Sequence, residues 1–389
     1  MSEKQITQDN WGYPPFNRDS FQDVQSLFPT ARLKRGIGEA SDIPVGLKPL
    51  ETIGFENLEG NKQSIAEMLH ATYTDAFLVL KDGVLVYEEY LNDMEADTLH
   101  LLNSVTKSFV GMLAGVLYEN GVIDPDKYLS DYIPEFKDTV FSATTLQHAL
   151  DMSAAVEYGE DYADPKADFW HEAAVVGWRP HLLNTESPDT LFDYALALRD
   201  REKQQLDGEK YHYRTVLTNI VAMAIERATG ERCQDLIEKY IWEKLRPEQD
   251  AVIVVDKTGF PYVGAGMNAC ARDLARFGLM LLNDGNYNGE QIIPAAWVRA
   301  TREGDEGYRD RFAKSDYGAI LPGGHYKNQV WVANIDNMMC IGIHGQLIYI
   351  NQSNGLVIVK LSSWPESHDD FLLATTVMGI DAISASFES

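Results

Sequence analysis

The spacing of apolar and polar positions divides the chain into a strand-rich start, a helical middle and a strand-rich end. The first strong pattern is Phe77-Leu78-Val79-Leu80, then Lys81-Asp82-Gly83, then Val84-Leu85-Val86-Tyr87. Two β-rich runs around an Asp-Gly pair predict a hairpin. After it, Phe109, Met112, Leu113, Val116 and Leu117 recur at helical spacing behind Asn103-Ser104, and Asn120-Gly121 stops the run. From about residue 120 to 250 the pattern is helix and loop, with helices predicted over 214–229 and 233–245. A further helix is predicted over 271–284, ended by Gly285. Then come short apolar runs: Gln329-Val330-Trp331-Val332, Met339-Cys340-Ile341-Gly342-Ile343, Leu347-Ile348-Tyr349-Ile350 and Leu356-Val357-Ile358-Val359. With turn residues Asn334, Asp336 and Asn354-Gly355 between them, they predict an antiparallel meander, and a last helix follows over about 370–384.

Strands at both ends with helices between them predict an α+β fold: one antiparallel sheet built from both chain ends, flanked by helices, with a helical insert. A length of 389 residues suits such a two-lobed unit. The expected boundaries are 46–120 with 250–389 for the sheet domain and 121–249 for the mainly helical domain. Residues 1–45 hold Trp11, Tyr13, Phe16 and Phe21, too many aromatics for a free tail, and are expected to form an irregular arm packed on the body.

Charge narrows the function. Lys plus Arg number 33 and Asp plus Glu 59, a net charge of −26. That excludes a nucleic-acid binder and docking on anionic membranes. No run of about 18 apolar residues offers a membrane span, and the polar start Met1-Ser2-Glu3-Lys4-Gln5 has no apolar targeting core. Cys233, Cys270 and Cys340 lie far apart, which points to a reducing, cytoplasmic setting. The nine histidines form no ligand pattern, so neither a metal nor another cofactor is expected. The expected partner is a small molecule; a homodimer is left open.

Three short segments carry chemistry. Ser104-Val105-Thr106-Lys107 is the chain's one S-x-x-K, at a helix start. Positions i and i+3 share a face, so the amine reaches the hydroxyl. A serine is a weak nucleophile until a base takes its proton. Lysine is that base only when neutral, which requires its pKa to fall by roughly three units, about 4 kcal/mol. Burial and a helix N-terminus both push that way. The same face continues as Ser108, Gly111 and Gly115, small residues that would let the helix seat closely against a neighbour. The second segment is Tyr213-Arg214-Thr215, a Tyr-x-polar triplet before a helix, whose phenol could relay a proton. The third is Ile343-His344-Gly345-Gln346, between two predicted strands, where a backbone N–H could complete an oxyanion hole begun at Ser104.

In chain order these segments resemble the class C β-lactamase and serine-esterase superfamily. Glu226-Arg227-Ala228-Thr229-Gly230 and Ala271-Arg272-Asp273-Leu274-Ala275-Arg276-Phe277-Gly278 are also similar to stretches of that family. Tyr73 to Leu80, Gly342 to Gln346 and Val359 to Pro365 resemble its nylon-oligomer hydrolase branch. The resemblance implies a β-lactamase/penicillin-binding-protein-like fold and a serine hydrolase of esters or small linear amides. Ser104 would be the nucleophile, Lys107 its base and Tyr213 the proton relay. The main-chain N–H groups of Ser104 and of a residue at or just after Gly345 would hold the oxyanion, with His344 and Gln346 beside it. Tyr162, in the loop Tyr158-Gly159-Glu160-Asp161-Tyr162, would touch the substrate amide. The chain departs from the pattern at Thr215, where Ser or Asn is usual, and at His344-Gly345-Gln346, where many relatives have a Lys-Thr-Gly-like element. No acid stands where the branch binds its substrate's amine, near Ala173 and Ala174; Glu172 is adjacent.

Overall fold

The computed structural model describes residues 5–203 and 205–387. Its main sheet has seven strands: β1 Thr74–Lys81, β2 Val84–Tyr90, β3 His325–Lys327, β4 Val330–Asn334, β5 Asn337–Gly342, β6 Gln346–Asn351 and β7 Leu356–Ser362. They run antiparallel in the order β3-β4-β5-β6-β7-β1-β2, so the two chain ends meet where β7 pairs with β1 and Val79 faces Ile358. The β1–β2 hairpin forms because Asp82 and Gly83 both take positive φ, 52° and 81°. A two-residue turn between right-twisted strands requires that geometry.

β1 and β7 read as unbroken apolar runs because both faces of the sheet are covered. The helix Ala271–Leu282 lies on one face, and Gly278 makes its close approach possible. A Cβ there would come within 2.6 Å of Val357 and 3.2 Å of Ile348. On the other face, beside Tyr349, the C-terminal helix Asp370–Ser386 packs with Ile65–Ala71 and is tied to the sheet by Asn354 Nδ2 donating to Ser384 Oγ at 2.5 Å. The predicted meander, hairpin and long helices are all present; the stretch expected over 233–245 carries a π turn, Glu238–Trp242.

The N-terminal arm is more ordered than expected. Thr30–Leu33 is a strand in a second, four-stranded antiparallel sheet, followed in order by Ala251–Val254, Met267–Ala269 and His100–Leu101. Only Leu33 of its four residues is buried, too short an alternation to stand out. The rest of the arm is pinned by polar and ring contacts. Trp11 Nε1 donates to the Trp178 carbonyl at 3.2 Å and Asn17 Nδ2 to the Trp364 carbonyl at 2.8 Å. Phe21 meets the His344 ring edge-on at 5.1 Å. This second sheet leads straight into the site: beyond Leu101, the Leu102 N–H donates to the Met267 carbonyl at 2.9 Å.

Candidate active site

At Asn103 the backbone turns left-handed, φ 46°, a conformation asparagine tolerates better than most residues. Its side-chain Nδ2 donates to the Ile343 carbonyl at 3.1 Å, fixing the turn to the end of β5. One 3₁₀ turn, Asn103–Val105, then runs into the helix Thr106–Glu119, whose residues 106–117 are all buried. The small-residue face does what its pattern predicts. A Cβ on Gly111 would lie 1.9 Å from the Asn328 carbonyl oxygen, and one on Gly115 2.5 Å from the Trp297 ring. Ser108 Oγ donates to the Gln329 carbonyl at 2.9 Å. The helix therefore sits against backbone and ring at a distance that only glycine permits.

Ser104 and Lys107 are brought together inside the protein. Lys107 is 1% exposed and Ser104 8%. Nζ lies 2.8 Å from Ser104 Oγ and donates a second bond to the Gly264 carbonyl at 2.6 Å. Burial pulls the Lys107 pKa from 10.5 down to about 8, against the opposing charges of Glu160 and Glu172. Tyr213 joins them: its phenol interacts with the Ser104 hydroxyl, and its ring centroid is 5.0 Å from Nζ. Burial, reinforced by Glu160, holds the Tyr213 phenol well above its usual range, so it is neutral. Trp331 stacks on it at 5.4 Å.

Two carboxyls that the sequence does not single out by role complete this arrangement. Glu160 accepts from Thr215 N–H at 2.5 Å, from Thr215 Oγ1 at 2.6 Å and from Tyr162 OH at 2.7 Å. It thereby caps the helix Thr215–Thr229 and explains the threonine there. Glu172, fully buried, is bonded by Tyr158 OH and by Asn219 Nδ2. Asn219 Oδ1 accepts from the Gly264 N–H at 3.1 Å. A continuous path thus runs from Glu172 through Asn219 and Gly264 to Lys107. Burial raises the Glu172 carboxyl to about 8. Glu172 is consequently spent inside the fold and does not stand in for an amine-binding acid at the cleft, as its neighbourhood to Ala173 had allowed.

The side chains of the third segment are bonded into the fold. His344 takes φ 60°, its Nδ1 lies 2.7 Å from the Trp364 carbonyl, and its Nε2 lies 3.3 Å from Ser367 Oγ. Gln346 Nε2 donates to the Ser362 carbonyl at 2.6 Å while its Oε1 accepts from Ser362 N–H at 3.1 Å. Gly345 faces the Trp364 ring, where a Cβ would come within 2.3 Å of Nε1. All three brace the turn against β7 and Trp364. The backbone beside the serine is instead that of Gly342, where a Cβ would lie 3.0 Å from Ser104 N. Tyr162 is partly exposed, packed edge-on to Phe169 at 5.1 Å.

Residues 62–382 match the family model described as Beta-lactamase. The chain belongs to the β-lactamase family. It is 33% identical over 364 residues to the 6-aminohexanoate-dimer hydrolase of Paenarthrobacter ureafaciens, covering 92% of this chain and 88% of that one. A solved structure from Bacillus anthracis, provisionally described as a 6-aminohexanoate-dimer hydrolase, superposes with a TM-score of 0.90 at 29% identity, covering 100% of this chain and 98% of that one. EstCE1, a hydrolase with promiscuous acyltransferase activity, shares the fold, with a TM-score of 0.61 at 15% identity over 82% of this chain and 98% of that one. This β-lactamase-family chain is thus a hydrolase homologous to 6-aminohexanoate-dimer hydrolase, on an α+β scaffold with an antiparallel sheet. Among its described residues no helix is long and apolar enough to cross a membrane.

Proposed function

We propose that this β-lactamase-family hydrolase cleaves carboxyl esters and small linear amides, of the 6-aminohexanoate-dimer kind, through an acyl-enzyme on Ser104. The observation that carries the reading is the Lys107 amine, 2.8 Å from Ser104 Oγ and held by the Gly264 carbonyl. With one N–H fixed on that carbonyl, a neutral amine keeps its lone pair for the serine proton. Ser104 Oγ attacks the substrate carbonyl as Lys107 takes the proton. The Ser104 N–H and the Ile343 N–H, at the strand end beside it, are assigned to the oxyanion; a donor of this type contributes about 3 kcal/mol. As the tetrahedral intermediate collapses, the neutral Tyr213 phenol gives its proton to the leaving oxygen or nitrogen and recovers one from Lys107. Water then enters, gives a proton to the same base and releases the acid with Ser104 restored. Tyr162, at the cleft edge, is assigned to contact the amide.

A β-lactam or D-Ala-D-Ala substrate finds no support in the turn at 343–345. A lysine there helps relatives bind the drug's carboxylate, and here His344 and Gln346 are turned into the fold. The test is hydrolysis of p-nitrophenyl acetate and of the 6-aminohexanoate dimer by the wild type and by Ser104→Ala. The expected result is turnover that drops to background in the variant while its melting temperature holds. Equal rates in the two proteins would remove Ser104 from the reaction.

A further inference from the structure

Four arginines are buried among the described residues: Arg179, Arg214, Arg276 and Arg302. Three pair with carboxylates, Arg214 with Glu202, Arg276 with Asp273 and Glu248, Arg302 with Asp284. Among the described residues Arg179 has no acidic partner, in a chain that carries 59 acidic residues. It is 6% exposed and makes one hydrogen bond, Nη1 to its neighbour's carbonyl on Trp178, at 3.2 Å. Its guanidinium lies over two rings, 4.2 Å from the Trp170 centroid and 4.4 Å from that of Tyr13. Rings lie against the guanidinium and a carbonyl takes Nη1, so among the described residues no hydrogen bond engages the Nε–Nη2 edge. That edge is the part of a guanidinium that grips a carboxylate with two parallel bonds.

Arg179 also neighbours the candidate site through Trp170, on whose ring it lies. Trp170 beneath it donates its indole N–H to the Tyr162 carbonyl at 3.3 Å, on the wall with Glu160. On the other side its charge acts on His344, in the turn that follows Gly342 beside Ser104. We propose that Arg179 is a carboxylate-binding residue, so that the substrate of this hydrolase is an anion bearing a carboxylate on an arm of the ester or amide that is cut. The assignment rests on the hydrolase reading for its chemistry, though not for its geometry. It also fits the charge balance: a surface of net charge −26 repels an anion, and an unpaired buried cation supplies the local attraction.

The experiment separates binding from turnover. Monomethyl adipate and dimethyl adipate are titrated calorimetrically into Ser104→Ala, which cannot consume them, and into Ser104→Ala with Arg179→Met. The monoanion is expected to bind Ser104→Ala more tightly than the diester and to lose about ten- to a hundredfold on Arg179→Met, while the diester changes little. A guanidinium that only pins the Tyr13 arm would affect both ligands alike, and that outcome, or equal binding of the two in Ser104→Ala, overturns the proposal. Should Arg179→Met not fold, Arg179→Lys keeps charge without the two-bond edge: a reduced preference for the monoanion supports the proposal, and an unchanged preference overturns it. p-Nitrophenyl acetate, which lacks a carboxylate arm, is run beside these. If Ser104→Ala turns it over as fast as the wild type, the Ser104 acyl-enzyme reading falls, while the titrations still decide the role of Arg179.

Discussion

The reaction should switch on through a single amine as the pH rises, and one carboxyl should set where. Lys107 has a pKa of about 8. The reactive neutral form is then about a hundredth of the protein near pH 6, a tenth near pH 7, half near pH 8 and nine-tenths near pH 9. The groups that face this amine are the Ser104 hydroxyl, the Gly264 carbonyl, the Tyr213 phenol and the carboxyls of Glu160 and Glu172. Desolvation drives the pKa down and Glu160 is the stronger of the two charges opposing it. Glu160→Gln removes that opposition and should move the acid limb of kcat/KM to lower pH. The assay is p-nitrophenyl acetate hydrolysis across about pH 5.5 to 9.5, followed at the isosbestic wavelength of nitrophenol. The readout is the midpoint, because the amplitude also reports the lost cap on Thr215. A flat wild-type profile would refute Lys107 as the base. A midpoint that stays put in Glu160→Gln would refute the electrostatic account of its poise.

The same burial has a thermodynamic side. Between about pH 8 and 10.5 the unfolded chain binds a proton that the folded one lacks, so Lys107 costs about 3 kcal/mol of stability at neutral pH. Lys107→Met should abolish turnover without lowering the melting temperature; a clear drop would show that its bonds outweigh its desolvation. Gly111→Ala must push a methyl against the Asn328 carbonyl, 1.9 Å away, and should cost about 1–3 kcal/mol by denaturant midpoint, with loss of activity. His344 is pushed down to about 4 by burial, so its contribution is fully present above about pH 6.5 and fades as the pH falls toward 4, up to about 3 kcal/mol. His344→Asn should flatten that part of the curve of melting temperature against pH, leaving the part due to His325, which is also held near 4.

Periodicity made most of the scaffold legible. Phe77 to Leu80 and Leu356 to Val359 are buried on both faces, and unbroken apolar runs are how such strands read. Ser104, Lys107 and Tyr213 were legible for a different reason, since spacing along one helix turn fixes the first two and a triplet before a helix marks the third. The partners of Lys107 were not legible. Gly264 is 157 positions away and acts through a carbonyl that every residue possesses, and Asn219 reaches Glu172 across 47 positions. His344, Gly345 and Gln346 were legible as a special turn. Sequence could not say that the turn's side chains brace it while the strand end at Gly342 meets the serine, because that depends on where a left-handed residue falls. The strand Thr30–Leu33 was lost to its own brevity.

The arm holds one more consequence, in the order of synthesis. Its residues are made before their partners: Trp11 waits for Trp178, Leu33 for Ala251, Phe21 for His344 and Asn17 for Trp364. On the ribosome the arm can therefore dock only in stages, Trp11 first, then Leu33, and Phe21 and Asn17 last. β1, likewise, gains its β7 neighbour only after the whole helical middle has been made. The turn that presents Ser104 is held by the Ile343 carbonyl, 240 positions on, so it too is set late. A nascent chain stalled before β5 would therefore carry the whole Ser104-to-Lys107 segment without the contact that fixes its turn.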